Sequence, residues 1–407
     1  MVTALSLVSC NDENEIINQD AGSNLRFSWW GKDDRNECTL AGIKQFEKKF
    51  NNISVKPEYS DFDGFKTRMD VEFYSNTEAD VMQLDYGWLD EYSKHSDALY
   101  DLNKLSDYID IDDFSDEVLS YGKCGDKLYG IPVSLDAITF YYNKTLFDSY
   151  GLELPETWED LFKAADVMKT DEVYPIILTN LSSWICCTAY TEQLTGKPMY
   201  NSDGDFQYTS DDLKIMFDFY ISLIKQKVTK RPSEFNRRDF QNGVSGGIAV
   251  WLSDAKYYYT PAQDEGYSIQ TGDYLTMDSM MSYGWYYKPS AFYSIKESTD
   301  TPEDAAKLVN YLLNSEEMTI NQGTDRGVPL SSAALETLEA RDMLKGISVN
   351  ANKKITENKN MKLMNPMIEN QDIADYFNLL CDNIYFDKTS PEQASINLYN
   401  KILDSFS

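Results

Sequence analysis

The segment from Tyr129 to Leu161, YGIPVSLDAITFYYNKTLFDSYGLELPETWEDL, constrains the fold more than any other part of this chain. Gly130 and Pro132 punctuate it, and Val133 through Tyr142 is rich in β-branched and aromatic residues, so an extended strand is expected there. The run Pro155-Glu156-Thr157-Trp158-Glu159-Asp160 then opens a helix, because Thr157 caps it and an acidic residue follows three positions on. Leu161, Ala164, Ala165 and Met168 mark the buried face of that helix. The segment reads as a hinge followed by a helix start, and most of its residues are scaffold.

The first hundred residues read as a βαβαβ unit. Leu25 to Trp30 is a strand, and Leu40, Ile43, Phe46 and Phe50 place one apolar stripe on the helix after it. Ile53, Val55 and Pro57 to Tyr59 form a second strand, Phe65, Met69 and Phe73 mark a second helix, and Ala79 to Leu84 is a third strand. Right-handed crossovers make the strands parallel, and the economical order is 2-1-3. Ligands in such sheets sit outside the carboxyl ends of the strands at the topological switch, here where Trp30-Gly31 and Asp85-Tyr86 leave the first and third strands.

Those ends carry the residue types a sugar needs. A pyranose offers one apolar C–H face to an aromatic ring and a rim of hydroxyls to planar donors and acceptors. Trp30, Tyr86 and Trp88 supply rings, and Arg35 and Asp85 supply charged hydrogen-bonding groups. Side chains alternate along a strand, so of Trp29 and Trp30 one belongs to the core, and Trp30, nearer the end, is the candidate. Trp184, Trp251 and Trp285 are further candidates among seven tryptophans, with Trp285 ranked high for following Gly284 just ahead of a crossing.

At 407 residues the chain is longer than one typical domain, and about two to three lobes are expected. A net charge of −30 argues against nucleic acid and against an anionic membrane surface as partners. The start, MVTALSLVSC, ends in Leu7-Val8-Ser9-Cys10, which looks like a bacterial lipobox with Cys10 as the lipidated residue, and the polar, acidic run Asn11 to Asn24 reads as a tether. Nothing later approaches the roughly 20 apolar residues of a membrane span. Apart from Cys10, the scattered Cys38, Cys124, Cys186, Cys187 and Cys381 contain no C-x-x-C pair and are expected to be buried thiols.

Catalytic and metal signatures are weak. The chain has no G-x-G-x-x-G, Walker, G-x-S-x-G or H-E-x-x-H motif. A catalytic triad would have to use the single histidine, His95, in a polar run expected at the surface. The dense carboxylates Asp107, Asp110, Asp112, Asp113, Asp116 and Glu117 read as a solvated loop. Asn201-Ser-Asp203-Gly-Asp205 has the alternating oxygens of a calcium loop but no Glu at its twelfth position, so a tight turn is expected. No catalytic residue, metal site or cofactor is assigned.

The order YGIP, YNK, F, GL and P-x-TW within 129–161 resembles the extracellular solute-binding proteins that feed carbohydrates to ABC importers. SWWGKDDRNECTLAGIKQFEKKF is similar to a subset of oligosaccharide-binding members, and MQLDYGWL to their D-x-x-W loop; by that resemblance Arg35 and Asp85 hydrogen-bond the sugar. Phe240 to Val250 resembles the stretch that precedes a cleft residue, a place held here by Trp251 and Asp254. Lys288-Pro289 through the helix after Thr301 resembles the second hinge crossing and returning helix, and Arg326-Gly327-Val328-Pro329 the turn before the third.

The resemblance implies an α/β chain with a two-lobed, type II periplasmic-binding-protein-like fold. Each lobe is then a mostly parallel sheet flanked by helices, joined by a hinge with three crossings. It divides the chain into a tether at 1–24, a first lobe at 25–135 plus 290–330, and a second lobe at 136–289 plus 331–407. The crossings then fall near Asp136, Pro289 and Leu330, and Asp136 at the first and Arg326 in the turn before the third both join the expected ligand contacts. The implied function is capture of an oligosaccharide and delivery to ABC permease subunits at the extracellular face of the membrane. An exported glycan hydrolase using an Asp/Glu pair, and a glycan receptor without a permease, remain as alternatives.

Overall fold

The computed structural model describes residues 22–62, 64–94, 98–277 and 283–406, so Cys10 and His95 lie outside the described residues. The chain opens with β1 (Ser23–Trp30), α1 (Asp33–Lys49), β2 (Ile53–Ser60), α2 (Phe65–Ser75), β3 (Val81–Leu84) and α3 (Tyr86–Ser93). β1 lies between β2 and β3 and runs parallel to both, which is the 2-1-3 order expected from right-handed crossovers. Asp33 and Asp34 in the first turn of α1 and Lys48 and Lys49 in its last complement the helix dipole. Its buried face is Thr39, Gly42, Ile43 and Phe46; a Cβ on Gly42 would stand 2.3 Å from the Met318 sulfur, so the Met318 side chain of the helix Glu316–Gln322 packs directly on this glycine.

Both lobes are α/β, and in each main sheet all strands but one point the same way. The strand Phe292–Ile295 pairs antiparallel with β3 and with Ile131–Pro132, completing a five-stranded sheet. In the second lobe Ile138–Asn143, buried along its whole length, pairs antiparallel with Gly247–Trp251 and Ile269–Thr271. Direction of entry is the reason. β1 and β3 run toward the junction of the lobes, whereas Phe292–Ile295 and Ile138–Asn143 start there and run away. The helix Trp158–Met168 has the expected capping box, with Thr157 Oγ1 accepting from Asp160 N at 3.2 Å and Asp160 Oδ2 from Thr157 N at 3.1 Å.

Two separate hydrophobic cores result. One runs from Leu25 to Val133 and resumes from Ala291 to Met318; the other runs from Ala137 to Tyr286 and resumes from Ala351 to Ile402. Between them the crossings lie side by side. Leu135–Asp136 pairs antiparallel with Tyr286–Pro289, placing Lys288 opposite Asp136, and Ser134 bridges to Pro329. Ser134 Oγ donates to the Arg326 carbonyl at 2.6 Å and lies 2.7 Å from Ser290 Oγ, so one hydroxyl ties all three crossings together. Gly327 has a φ of 97°, and a Cβ there would stand 2.4 Å from that hydroxyl.

Three expectations at the surface resolve plainly. Cys186, Cys187 and Cys381 are buried, but Cys38 is half-buried and Cys124 exposed, because Cys124 sits in a two-residue strand at the edge of the first lobe. Asn201 Oδ1 accepts from the backbone of Asp203 and Asp205, so its oxygen serves its own turn. Among the described residues no helix is long and apolar enough to cross a membrane.

Candidate functional site

The ends of β1 and β3 and the Leu252–Asp254 turn after the strand Gly247–Trp251 meet at the crossings and form an interlobe seam. Asp85 leaves β3 in extended conformation and caps α3, its Oδ1 accepting from Gly87 N at 3.2 Å. Its Oδ2 receives Lys288 Nζ at 3.3 Å, while both oxygens of Glu369, from the short helical turn Pro366–Glu369, receive the same ammonium at 2.5 and 2.6 Å. Lys288 is 4 % exposed and stands on a crossing strand, so one buried cation holds carboxylates from both sides of the seam. Burial alone would lower its pKa, but Asp85, Glu369 and Asp136 outweigh it and hold the ammonium charged. Burial pushes the Glu369 carboxyl up to about 7; Lys288 opposes this, and Asp85, which shares the ammonium, adds to it. Lys288 Nζ also lies 4.8 Å from the centre of the Trp251 ring.

On the other flank, Asp136 Oδ1 accepts from the backbone of Ala137 at 2.9 Å and of Ser253 at 3.2 Å, and burial raises its carboxyl to about 6. The Ser253 carbonyl accepts from Arg35 Nη2 at 2.5 Å, and the Asp325 carbonyl from Arg35 Nε at 3.3 Å. Arg326 is 6 % exposed and donates to Gln83 Oε1 at 3.0 Å and Thr39 Oγ1 at 2.9 Å. These groups enclose a space of about 30 Å³ lined by Trp30, Arg35, Gln83, Ser253, Ser290 and Arg326. That volume takes water but no sugar ring, so the lobes are closed on one another. Further links across the seam are Lys256 to Asp325 at 2.8 Å, Lys32 over the Tyr257 ring at 4.7 Å, and Tyr121 OH to Tyr287 OH at 3.1 Å. A larger hollow of about 590 Å³, among Lys49, Phe50, Tyr108, Asp110, Lys307 and Tyr311, shares no residue with the seam.

Most of the residues singled out in the sequence converge here. Trp30, Arg35 and Arg326 line the small space; Asp85, Asp136 and Trp251 surround Lys288; and Asp254 is half-buried in the same turn as Ser253. Tyr86, half-buried at the start of α3, stacks on Phe292 at 6.4 Å, and burial pushes its hydroxyl up to about 12. Trp88 points into an aromatic cluster, stacked on Phe62 at 5.5 Å and edge-on to Trp30 at 5.4 Å, and supports the Trp30 ring from behind. Trp29 is core, as alternation along β1 requires.

Two candidates are corrected. Trp184 is fully buried, donates to the Ile368 carbonyl at 2.8 Å and packs edge-on to Phe377. Trp285 is 1 % exposed, donates to the Leu275 carbonyl at 2.9 Å and packs against Phe140, Trp158 and Tyr274. Each indole satisfies its N–H inside the second core, leaving no face for a ligand. Lys288, Glu369, Gln83 and Ser253 were not singled out. Lys288 carried a usable signal, a lysine beside Pro289 in an otherwise apolar crossing strand, whereas Glu369 sits in a surface-like sequence with none.

The profile of the bacterial extracellular solute-binding proteins matches residues 39–319. The chain belongs to this family. Among curated relatives, the multiple sugar-binding protein of Streptococcus mutans is 24 % identical over 184 residues, covering 45 % of this chain and 42 % of that protein. The chain spans less than half the length of this relative. Solved structures extend the likeness to nearly the whole solute-binding protein. A periplasmic solute-binding protein of Pectobacterium atrosepticum superposes with a TM-score of 0.86 at 27 % identity, over 93 % of this chain and 98 % of the other. A periplasmic oligogalacturonide-binding protein of Yersinia enterocolitica, in complex with digalacturonic acid, gives 0.85 at 28 % identity over 93 % and 97 %. The two-lobed type II fold is common to them.

Proposed function

We propose that this solute-binding protein captures an oligosaccharide between its lobes and presents it to the permease subunits of an ABC transporter, without turning it over. The observation that carries the reading is the convergence, on one seam between two separate cores, of rings, arginines and carboxylates from both strand ends, the crossings and the opposing turn. The sugar specificity of the relative from Streptococcus mutans and of the structure from Yersinia enterocolitica supports it.

In this reading the lobes are 25–135 plus 290–330 and 136–289 plus 331–407, and they part about the crossings held by Ser134. Ligand bound to both lobes shifts the population toward the closed form, which the permease distinguishes from the open one. Trp30, Arg35, Asp85, Tyr86, Asp136, Trp251, Asp254 and Arg326 form the contact set, and Trp88, packed on Trp30 and Phe62, belongs to it only as the support of the Trp30 ring. Cys10 carries a lipid anchor and the residues between it and β1, which starts at Ser23 inside the expected 11–24 stretch, a tether, holding the protein at the extracellular face of the cytoplasmic membrane. Binding without chemistry agrees with the carboxylates of the seam, since Asp85, Asp136 and Glu369 are each engaged by backbone N–H groups or Lys288.

Calorimetry against oligosaccharides of varied linkage, with product analysis after long incubation, tests this. Micromolar binding with the sugar recovered intact is expected. Shortened products would replace the reading with hydrolysis, and an absence of binding across the panel would remove the sugar.

A further inference from the structure

Arg35 and Arg326 come from distant parts of the chain, the first turn of α1 and the third crossing, yet line the same small space beside Trp30. Their hydrogen bonds are all to neutral oxygens: Ser253 and Asp325 carbonyls for Arg35, Gln83 and Thr39 side chains for Arg326. Among the described residues neither forms an ion pair. That sets them apart. The other arginines that are not exposed, Arg26, Arg68 and Arg231, each hold a carboxylate, and the neighbouring Lys288 and Lys256 hold two apiece.

In a chain with 67 acidic side chains against 37 basic ones, two guanidiniums that line one space and meet no carboxylate are conspicuous. Burial first and then the charge of Arg326 lower the pKa of Arg35. Tyr257, Asp254 and Asp136 act in the opposite sense on Arg35, but neither carboxylate reaches it as an ion pair. The orientation is also set in advance. Gln83 and Thr39 fix the plane of Arg326, Ser253 and Asp325 fix that of Arg35, and Arg35 Nη1 and Arg326 Nε have no hydrogen-bond partner among the described residues.

We propose that Arg35 and Arg326 form a carboxylate subsite, so that the preferred oligosaccharide contains a uronic acid whose carboxylate they hold when the lobes close. This inference rests on the sugar-binding reading above and names its substrate class. A carboxylate brings two oxygens, one for the free donor of each guanidinium, Arg35 Nη1 and Arg326 Nε, and the adjacent Trp30 ring borders the sugar carrying it. Nothing covalent changes, and the hydrogen bonds that orient the two guanidiniums stay in place.

The test is calorimetry with uronate-containing di- and trisaccharides, their carboxyl-reduced counterparts, sulfated oligosaccharides and neutral oligosaccharides. The panel is run on the full chain and on the Arg35→Gln, Arg326→Gln and Arg326→Lys variants, with thermal melts as the folding control. Expected is at least tenfold tighter binding of one uronate sugar than of its reduced counterpart. Either glutamine variant should erase that difference between the uronate sugar and its reduced counterpart, and Arg326→Lys should keep part of it. If Arg326→Gln fails to fold, Arg35→Gln in the first turn of α1 carries the same comparison. A neutral sugar binding tightest would overturn the subsite and leave the sugar reading standing. A sulfated sugar preferred over every uronate would overturn the carboxylate assignment, and no sugar bound by any form would overturn both readings.

Discussion

Replacing Lys288 by Met removes the buried cation and leaves its two carboxylates facing each other across the seam. Lys288 Nζ contacts Glu369 at 2.5 and 2.6 Å and Asp85 at 3.3 Å, and its side chain is 4 % exposed, so water cannot take over its role. Breaking a buried pair from one side typically destabilises by about 3–5 kcal/mol. With an unfolding entropy of ~2.1 cal/mol/K per residue, a 407-residue chain has roughly 0.85 kcal/mol/K, so the melting temperature should fall by about 4–6 °C.

The pH dependence adds a second, independent check. The Glu369 carboxyl already stands at about 7, against the downward pull of Lys288, and losing the ammonium moves it higher. A carboxyl raised in the native state binds more protons there than in the unfolded chain, so stability grows as pH falls through the window below that value. The deficit of Lys288→Met should therefore be largest near pH 8 and shrink toward pH 5.5, and adding Glu369→Gln should recover much of it at pH 8. Melts by circular dichroism across that range measure both effects. A loss within about 1 °C, or one that does not vary with pH, refutes the claim that this ion cluster clamps the lobes.

Three further outcomes are expected. Asp136→Asn keeps the Oδ1 acceptor for Ala137 and Ser253 but removes a buried charge whose carboxyl is raised to about 6. It should raise stability at pH 8, by up to about 3 kcal/mol, and change little near pH 4, as pH-dependent melts will report. Trp285→Ala empties a site in the second core and should cost about 3–5 kcal/mol while the folded fraction keeps its sugar affinity; a selective affinity loss without destabilisation would return Trp285 to the binding site. Gly327→Ala meets both a left-handed φ of 97° and the Ser134 hydroxyl at 2.4 Å, so a loss of roughly 1–3 kcal/mol, read by chemical denaturation, is expected.

What could be read directly was local in the chain. The 2-1-3 order, the Thr157 capping box and the choice of Trp30 over Trp29 depend on periodicities within a few residues, which neighbouring side chains enforce wherever the segment is placed. Sheet direction was less legible. Strands that begin at a crossing run opposite to those that end there, and nothing in the composition of Phe292–Ile295 or Ile138–Asn143 states at which end they enter.

Residue types next to the strand ends were enough to nominate Arg35 and Asp85, because short connections confine those positions to the edge of a sheet, whereas Asp136, Trp251 and Arg326 were nominated through the family resemblance of their segments. Which way a large ring faces is another matter: Trp184 and Trp285 have the same amphipathic chemistry as Trp30, and only the packing of Phe377, Phe140 and Trp158 around them decides that they are core. The clamp of Lys288 on Asp85 and Glu369 joins residues 203 and 81 positions apart, and the Arg35–Arg326 pair likewise joins the first helix to the last crossing. Periodicity and propensity act over a few residues, so the sequence by itself determined the elements and the chemistry at their ends. Charge pairing and burial act through space, so the tertiary structure alone decided which buried cations meet a carboxylate and which two, Arg35 and Arg326, meet only neutral oxygens.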